Sequence, residues 1–175
     1  QSALKALADA GAKSVVIAYE DTAFPTSVAL GAEKWAKEYG MEILGIETSC
    51  DETAAALVMG GYDVVSSAVS TQVDLHAQFG GVVPEIAGRA HLDLLNPMVA
   101  QAIVEAGVEP GRIDAVACTV GPGLVGALLV GVSAAKALAL TWGVPFVGVN
   151  HMEAHLYAAF LEDPTLQFPL VVMLV

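Results

Sequence analysis

The chain has 175 residues, which is enough for one ordinary domain with a real core but too few for two full lobes. Its residues are 55% apolar and 15% charged, which excludes a disordered chain and favours an α/β protein with strands buried on both faces. The net charge is -12, and residues 41–175 carry 14 acidic against 3 basic side chains, so we expect the chain alone to bind nucleic acids poorly.

Residues 1–40 are predicted to form a helix at 2–10, a strand at 14–19 and a second helix at 27–39 that ends at Gly40. With the run Gly-Ala-Lys-Ser-Val-Val-Ile-Ala-Tyr, this segment resembles an internal βα unit of periplasmic branched-chain amino-acid-binding proteins. One such unit cannot bury its own faces and holds no complete ligand site. We therefore interpret residues 1–40 as an appended segment.

The N-terminal residues lack the basic start, apolar centre and cleavage site of a secretory signal. Two cysteines, Cys50 and Cys118, are too few for a disulfide framework, and their spacing does not resemble a zinc or redox pair. Both observations favour a cytoplasmic protein.

A new pattern begins at Met41, where short apolar strands follow one another closely. We predict an antiparallel meander with Gly60-Gly61 as its hairpin turn and strands at residues 42–47, 54–59 and 63–70. A helix is expected from Pro84 to Gly107, with a break or kink at Asn96-Pro97. Strands and helices then alternate, at residues 115–120, 124–142, 146–149, 151–161 and 170–175.

The longest apolar stretch, residues 124–140, contains Ser133 and Lys136 and is short for a bilayer crossing. It predicts a buried helix and no membrane association.

Three hairpin strands followed by alternating strands and helices are the plan of an actin-, hexokinase- or sugar-kinase-like lobe. This ribonuclease H-like α/β fold has a mixed sheet with flanking helices. Such lobes normally come in two copies. We predict an appended segment at 1–40, one lobe at 41–169, and at 170–175 the first strand of a second lobe that this chain lacks. The final strand has no obvious neighbour, so its exposed edge could support a homodimer.

The segment Asn150-His-Met-Glu-Ala-His155 places His151 and His155 on one face of a helix, where they could bind one metal ion. Such a pair alone is weak evidence, since helix-start histidines often face solvent. Asn150 and Glu153 have the spacing of a capping box, which gives Glu153 a structural role. Glu153 also lies roughly 160° around the helix from either histidine, so it cannot serve as a metalloprotease base. A third ligand must come from elsewhere.

The segment Gly45-Ile-Glu-Thr-Ser-Cys-Asp-Glu-Thr53 joins the first two strands. The hydroxyls of Thr48, Ser49 and Thr53 could donate to phosphate oxygens, whereas Asp51 and Glu52 suit a metal or a proton transfer. An ordinary polar β-turn explains the same residues.

Gly121-Pro-Gly-Leu-Val-Gly126 has the glycine spacing of a dinucleotide-binding turn, between a strand and a helix. The next strand ends at Asn150 and not at an acid that could bind a ribose, so we reject a nicotinamide or flavin site. An anion site at the helix start and close helix packing both remain open.

Gly80-Gly-Val-Val-Pro-Glu85, with Arg89 and His91, forms another polar cluster. An i, i+4 ion pair between Arg89 and Glu85 is the simpler interpretation, although Arg89 and His91 could face the cleft.

Together these four motifs resemble the tRNA N6-adenosine threonylcarbamoyltransferase family, once called O-sialoglycoprotein endopeptidase. The resemblance covers residues 41–175 in order and spacing. It implies a two-lobed fold that transfers a threonylcarbamoyl group from threonylcarbamoyl-adenylate to N6 of adenosine 37 in tRNAs reading ANN codons. Iron or zinc sits between the lobes in this family, and ATP or an adenylate is a ligand.

By resemblance, His151 and His155 are two metal ligands, and Leu174 and Val175 begin a substrate-binding strand. The family continues there into Ser-Gly-Gly-His-Thr, which this chain does not include. We expect Asp51 or Glu52 to assist proton transfer. The remaining candidate substrate-binding residues are Thr48, Ser49, Gly121 and Gly123.

The resemblance also implies an inactive paralogue and a small ATPase as partners, besides tRNA. The leading hypothesis is an N-terminal transferase lobe, fused behind an unrelated segment and inactive alone. The alternatives are a scaffold or dimerisation lobe that has lost its chemistry and, less favoured, a metalloendopeptidase.

Overall fold

The computed structural model describes residues 15–18, 41–60, 63–163, 165–167 and 170–174. The helices predicted at 2–10 and 27–39, and Val175, lie outside these residues. Within them the strands are β1 (Val15–Ala18), β2 (Glu42–Glu47), β3 (Glu52–Met59), β4 (Asp63–Thr71), β5 (Ala115–Gly121), β6 (Phe146–Asn150) and β7 (Val171–Leu174). The helices are α1 (Val73–Ala77), α2 (Pro84–Ala106), α3 (Val125–Trp142) and α4 (His151–Glu162), with a short 3-10 turn at Pro110–Arg112.

Five strands form one mixed sheet in the order β4-β3-β2-β5-β6. The β2–β3 and β3–β4 pairs are antiparallel, as the predicted meander requires, and β5 and β6 add in parallel. β3 begins two residues earlier than predicted, because Glu52 pairs with Thr71 at the end of β4. The sheet and its flanking helices confirm the predicted actin- and sugar-kinase-like α/β fold.

Both faces of the sheet are covered at β2, β3 and β5, where successive residues point to opposite sides and nearly all are buried. On one face Leu44 and Ile46 pack with residues of α2 and α3, including Leu95 and Ala135. On the other face Ile43 packs with residues that include Ala154 of α4. This double burial explains why β2, β3 and β5 are largely apolar, whereas the edge strand β4 is partly exposed and mixes apolar with polar residues.

Helix α2 runs for 23 residues and is continuous through Pro97, so the predicted break is wrong. Pro97 removes one backbone donor, but Leu95, Val99 and Ala102 hold the helix against the sheet on both sides of it. The helix ends as expected at Gly107, whose φ of 64° lies in the left-handed region that glycine adopts readily. Helix α1 was not predicted.

Helix α3 is buried on one face and not throughout, which corrects the prediction of a buried helix. Small residues pack inward at every fourth position: Ala127, Gly131, Ala135 and Ala139. On the outer side Val125, Leu129 and Leu140 are 82%, 65% and 85% exposed. By length and composition alone α3 could cross a membrane, and 22% of it is buried within the fold. One such helix is weak evidence of a membrane span, since mostly buried core helices of soluble proteins have similar length and composition.

Strand β7 has a neighbour, contrary to the sequence expectation. It pairs in parallel with β1, in a register that sets Val15 opposite Val171 and Ala18 opposite Leu174. The two strands form a sheet of their own. Residues 15–18 thus supply backbone partners to one edge of the final strand, so a dimer formed by strand pairing would have to use the opposite edge of β7.

Candidate functional site

The loop between β2 and β3 faces the first turns of α4 across a small open pocket. Its lining combines three carboxyl groups, two imidazoles, a hydroxyl and a thiol, from Glu47, Ser49, Cys50, Asp51, Glu52, His151 and His155. Among the described residues, neither Lys nor Arg lines it. A pocket of this composition suits a cation better than a phosphate group.

Asn150 fixes the start of α4 and thereby the position of both histidines. Its side-chain oxygen accepts hydrogen bonds from the backbone N–H groups of Met152 and Glu153, at 2.9 and 3.3 Å. This confirms the predicted N-cap. Glu153 is exposed and does not line the pocket, as the helical geometry predicted.

The ring nitrogens of the two histidines converge. Nε2 of His151 and Nε2 of His155 are 3.2 Å apart, and the rings are perpendicular with centroids 4.7 Å apart. Two nitrogens bound to one zinc ion at a tetrahedral angle lie roughly 3.3 Å apart. The spacing therefore fits two ligands of one ion.

Ser49 contacts the other side of the His151 ring, with its hydroxyl oxygen 3.1 Å from Nδ1. When Nδ1–H donates to this oxygen, the lone pair of Nε2 is left for a metal. Two imidazoles do not complete a coordination shell, and the described part of the chain contains no cluster of three or more His, Cys, Asp and Glu side chains suited to a metal ion. The residues fit a metal as part of a larger ligand set.

Glu47 is, with Cys50, one of two lining residues that the sequence analysis did not name as site residues. It is 2% exposed, and its carboxylate accepts hydrogen bonds from the backbone N–H of Ser49, at 2.5 Å, and from the hydroxyl of Thr119. Burial raises the pKa of Glu47 above its ordinary value, and the hydrogen bonds from Ser49 and Thr119 oppose this shift. An acidic residue at the end of an apolar strand was the available signal.

Asp51 and Glu52, the predicted proton-transfer residues, lie in the pocket wall with the histidines. The backbone carbonyl of Asp51 accepts a hydrogen bond of 2.9 Å from the N–H of Gln72, which attaches the loop to the start of α1. The structure thus brings both carboxylates to the predicted metal ligands, while their catalytic role stays a prediction.

Thr48 has a packing role in this structure. It is fully buried, and its hydroxyl donates to the backbone carbonyl of Ala127 in α3 at 2.9 Å. A Cβ atom at Gly131 would lie 2.3 Å from the Thr48 hydroxyl oxygen, so this contact requires a glycine. Thr48 does not line the pocket.

The glycine turn packs directly against the loop. A Cβ atom at Gly123 would lie 2.7 Å from the backbone oxygen of Ser49, which also accepts a hydrogen bond of 2.8 Å from the N–H of Leu124. Gly121 has a φ of 144°, a conformation that other residues rarely adopt. Neither glycine lines the pocket, and close packing, one of the two predicted alternatives, accounts for Gly123.

His91 lies beneath the loop and is fully buried, and its Nε2 is 3.1 Å from the backbone oxygen of Cys50. Burial is the largest cause of a lowered pKa for His91. Arg89, in contrast, is exposed on α2 and forms the predicted ion pair with Glu85, at 2.7 Å.

A family model for tRNA N6-adenosine threonylcarbamoyltransferase matches residues 63–175. The chain belongs to this family. The resemblance drawn from the four motifs is therefore confirmed.

Two relatives of this transferase family show how much of the protein is covered. The tRNA N6-adenosine threonylcarbamoyltransferase of Pelobacter propionicus is 61% identical over 135 residues, which are 77% of this chain and 39% of that protein. The protein of the same name from Symbiobacterium thermophilum is 59% identical over 133 residues, or 76% of this chain and 39% of that protein. The chain thus spans 39% of the length of these relatives.

A solved structure supports the fold of this family member. YeaZ from Pseudomonas aeruginosa matches with a TM-score of 0.50 and 26% sequence identity, over 63% of this chain and 44% of that one. The family's predicted substrate strand coincides with β7, where Leu174 pairs with Ala18.

Proposed function

We propose that the chain is the N-terminal lobe of an enzyme that transfers a threonylcarbamoyl group from threonylcarbamoyl-adenylate to N6 of adenosine 37 in tRNAs reading ANN codons. The observation that carries this proposal is the convergence of His151 and His155, with nitrogens 3.2 Å apart, on a pocket lined by Asp51 and Glu52. Relatives with the corresponding transferase name are about 60% identical to the chain over this part.

His151 and His155 would hold iron or zinc in this enzyme. When bound, the metal would supply a positive charge that stabilises the charge developing on the carbamoyl or phosphate oxygens. Ser49 would keep the His151 ring in the orientation that leaves Nε2 available.

Asp51 or Glu52 would accept the proton that adenosine N6 loses when it attacks the carbamoyl carbon and AMP leaves. All three carboxyl groups line the pocket, but Glu47 is 2% exposed and its oxygens already accept hydrogen bonds from Ser49 and Thr119, whereas Asp51 and Glu52 are more exposed. We assign the proton transfer to the two wall residues for this reason.

We expect the 175 residues alone to be inactive. They correspond to 39% of the length of the relatives, and the described residues offer two imidazole ligands where a metal needs more. In a reconstituted assay with threonylcarbamoyl-adenylate and tRNA, this chain as sole transferase should form no modified adenosine. Formation of the modified base would refute this expectation.

The acidic surface leads to a related proposal about partners. A net charge of -12 repels the phosphate backbone of tRNA, so the contact surface would come from the rest of the enzyme, the inactive paralogue and the small ATPase. We propose a cytoplasmic location, where tRNA modification takes place.

The metal site is tested by binding measurements on the isolated chain. We expect weak binding of about one zinc ion per chain, because both nitrogens converge on one point but do not complete the ligand set, and loss of that binding in a His151→Ala, His155→Ala double variant. Glu153→Gln is the matched control, since Glu153 lies on the same helix and does not line the pocket.

The same measurement separates the alternative functions. Equal zinc content in wild type and the double variant would mean that any metal binds elsewhere, and it would favour a scaffold or dimerisation lobe. The exposed apolar residues of α3 are consistent with that alternative. A metalloendopeptidase is disfavoured, because Glu153 does not line the pocket as a hydrolytic base would.

A further inference from the structure

A network of buried polar side chains lies beneath the pocket and takes no part in the proposed chemistry. Its members come from β3, the segment before α1, α1 itself and α2, and each is at most 3% exposed: Thr53, Gln72, His76 and His91. Polar groups withdrawn from water in this way destabilise a fold unless every donor and acceptor is matched.

The hydrogen bonds of this network have one consistent direction. The backbone N–H of Val83 donates to Nδ1 of His76 at 3.3 Å, so the proton of neutral His76 is on Nε2, which is 3.1 Å from the Gln72 side-chain oxygen. The Gln72 amide nitrogen is then a donor toward Nδ1 of His91, at 3.3 Å. The Thr53 hydroxyl donates to the same Nδ1 at 2.7 Å.

With Nδ1 of His91 accepting, Nε2 must carry the proton. This N–H points to the backbone oxygen of Cys50 at 3.1 Å, an atom that can only accept. The next carbonyl in the loop, that of Asp51, is held at 2.9 Å by the backbone N–H of Gln72. Two successive carbonyls of the pocket loop are therefore attached to the same network.

We propose that His91 is a positioning residue, which acts through the Cys50 carbonyl to hold Asp51 and Glu52 toward His151 and His155. The chain of hydrogen bonds also connects the loop to Val83, at the end of the Gly80-Gly81 segment. This motif thereby gains a role in shaping the pocket. The assignment deepens the proposed function and rests on it for the identity of the site.

A buried imidazole is specific in a way that an apolar residue is not. A leucine would fill similar space without a desolvation penalty, but it has no donor for the Cys50 carbonyl and no acceptor for Thr53 and Gln72. The polar network thus determines the conformation of the loop and not merely the packing of the core.

The labelling rate of the Cys50 thiol reports directly on the conformation of this loop. The chain has two cysteines: Cys50 is exposed, whereas Cys118 is buried. Burial raises the pKa of the Cys118 thiol, so in the folded protein a disulfide reagent such as DTNB labels Cys50 selectively. The labelling rate depends on loop conformation and needs no metal.

The experiment compares labelling rates of the folded 175-residue chain and four variants. His91→Leu should change the Cys50 rate about fivefold, as expected for loss of one buried hydrogen bond. His91→Gln, whose amide can replace the Nε2 donor, should restore a rate close to wild type. Ser66→Ala is the control: it removes a buried hydrogen bond from β4 to Ala102, in the C-terminal half of α2 and outside the network, and should leave the rate unchanged.

Thr53→Val, which is nearly isosteric and removes the hydroxyl donor to Nδ1, decides the matter if His91→Leu does not fold. An unchanged rate in the folded His91→Leu or Thr53→Val variant, or an equal change in Ser66→Ala, would overturn the proposal. So would failure of His91→Gln to restore the rate.

Zinc titration of the same proteins separates this proposal from the proposed function. We expect weaker zinc binding in His91→Leu and near wild-type binding in His91→Gln. Absence of zinc binding by the wild-type chain would count against the metal site, while the Cys50 rates would still decide whether His91 holds the loop.

Discussion

Glu47 is a carboxyl group that the fold withdraws from water and then supplies with donors. One of its oxygens accepts a hydrogen bond from the backbone N–H of Ser49 in the loop. The other accepts from the hydroxyl of Thr119, which lies near the end of β5 and 72 residues further along the chain. Because the raised pKa of Glu47 comes mainly from burial, the folded chain holds this proton more tightly than the unfolded chain does. The residue therefore connects the stability of the site to pH.

Glu47→Gln should reduce the pH dependence of stability. The folded pKa of Glu47 is raised above 4.5, so the contribution of this residue to the free energy of unfolding falls as pH rises from 4.5 through the folded pKa and is constant above it. Glutamine can accept from Ser49 and donate to Thr119, so the variant should fold and lose this decline. Urea unfolding from pH 4.5 to 8 measures it.

Glu105→Gln is the control for that series, because Glu105 is exposed on α2 and should keep the wild-type profile. His91 contributes with the opposite sign: its lowered pKa makes stability rise with pH up to its ordinary value of 6.5. A steeper fall of stability with pH in Glu47→Gln would contradict the prediction.

At the scale of elements, the small residues on the inward face of α3 allow this helix to pack close to the sheet. Gly131 lies against Thr48, and Gly123, just before the helix, lies against Ser49. Glycine is therefore found where a backbone atom or a buried hydroxyl fills the space that a Cβ atom would need. The neighbouring inward positions, Ala127 and Ala135, have room for a methyl group.

Gly131→Ala should destabilise the chain by about 1–3 kcal/mol, the usual cost of overpacking a core. The added methyl group would lie 2.3 Å from the Thr48 hydroxyl and 3.3 Å from the Cys118 sulfur, so Thr48 must move and lose its bond to Ala127. Thermal or urea unfolding measures the change.

Gly126→Ala is the matched control on the same helix, since a methyl group there meets no atom within 4 Å. Its stability should be unchanged or raised by up to about 1 kcal/mol, because alanine favours helix over glycine. Equal destabilisation of the two variants would show that the Thr48 contact is not the cause.

Patterns local in sequence predicted much of this molecule. The apolar strands around Ile43 and Leu44 predicted the doubly buried sheet, and Asn150 with Glu153 predicted the start of α4. The burial of Glu47 and the position of His91 could not be predicted, because each depends on contacts between residues far apart in the chain. The exposed side of α3 was missed for a related reason: composition does not show which apolar face has a neighbour.

At the scale of the whole molecule, the net charge of the chain and the share of its relatives' length that it spans lead to the same expectation. The chain carries 19 acidic and 7 basic residues and corresponds to 39% of the length of its relatives. A pocket lined by acidic side chains and imidazoles can attract a cation, but the surface around it offers little to a polyanion. Metal binding and RNA binding should therefore separate in the isolated chain.

The isolated chain should bind tRNA weakly, with a dissociation constant above the micromolar range at roughly 150 mM salt. Filter binding or fluorescence anisotropy with labelled tRNA measures this, beside a basic RNA-binding protein of similar size. Tight binding that weakens little with added salt would contradict the electrostatic argument.

The contact between Gly131 and Thr48 also fixes α3 along its own axis. The inward positions repeat every four residues, so a slide of one repeat, about 6 Å, would exchange one small residue for another along the whole row. Only Gly131 breaks this symmetry, because an alanine in its place would collide with the Thr48 hydroxyl. A single missing methyl group thus sets the translational register of an 18-residue helix, and with it the point where Leu124 meets Ser49.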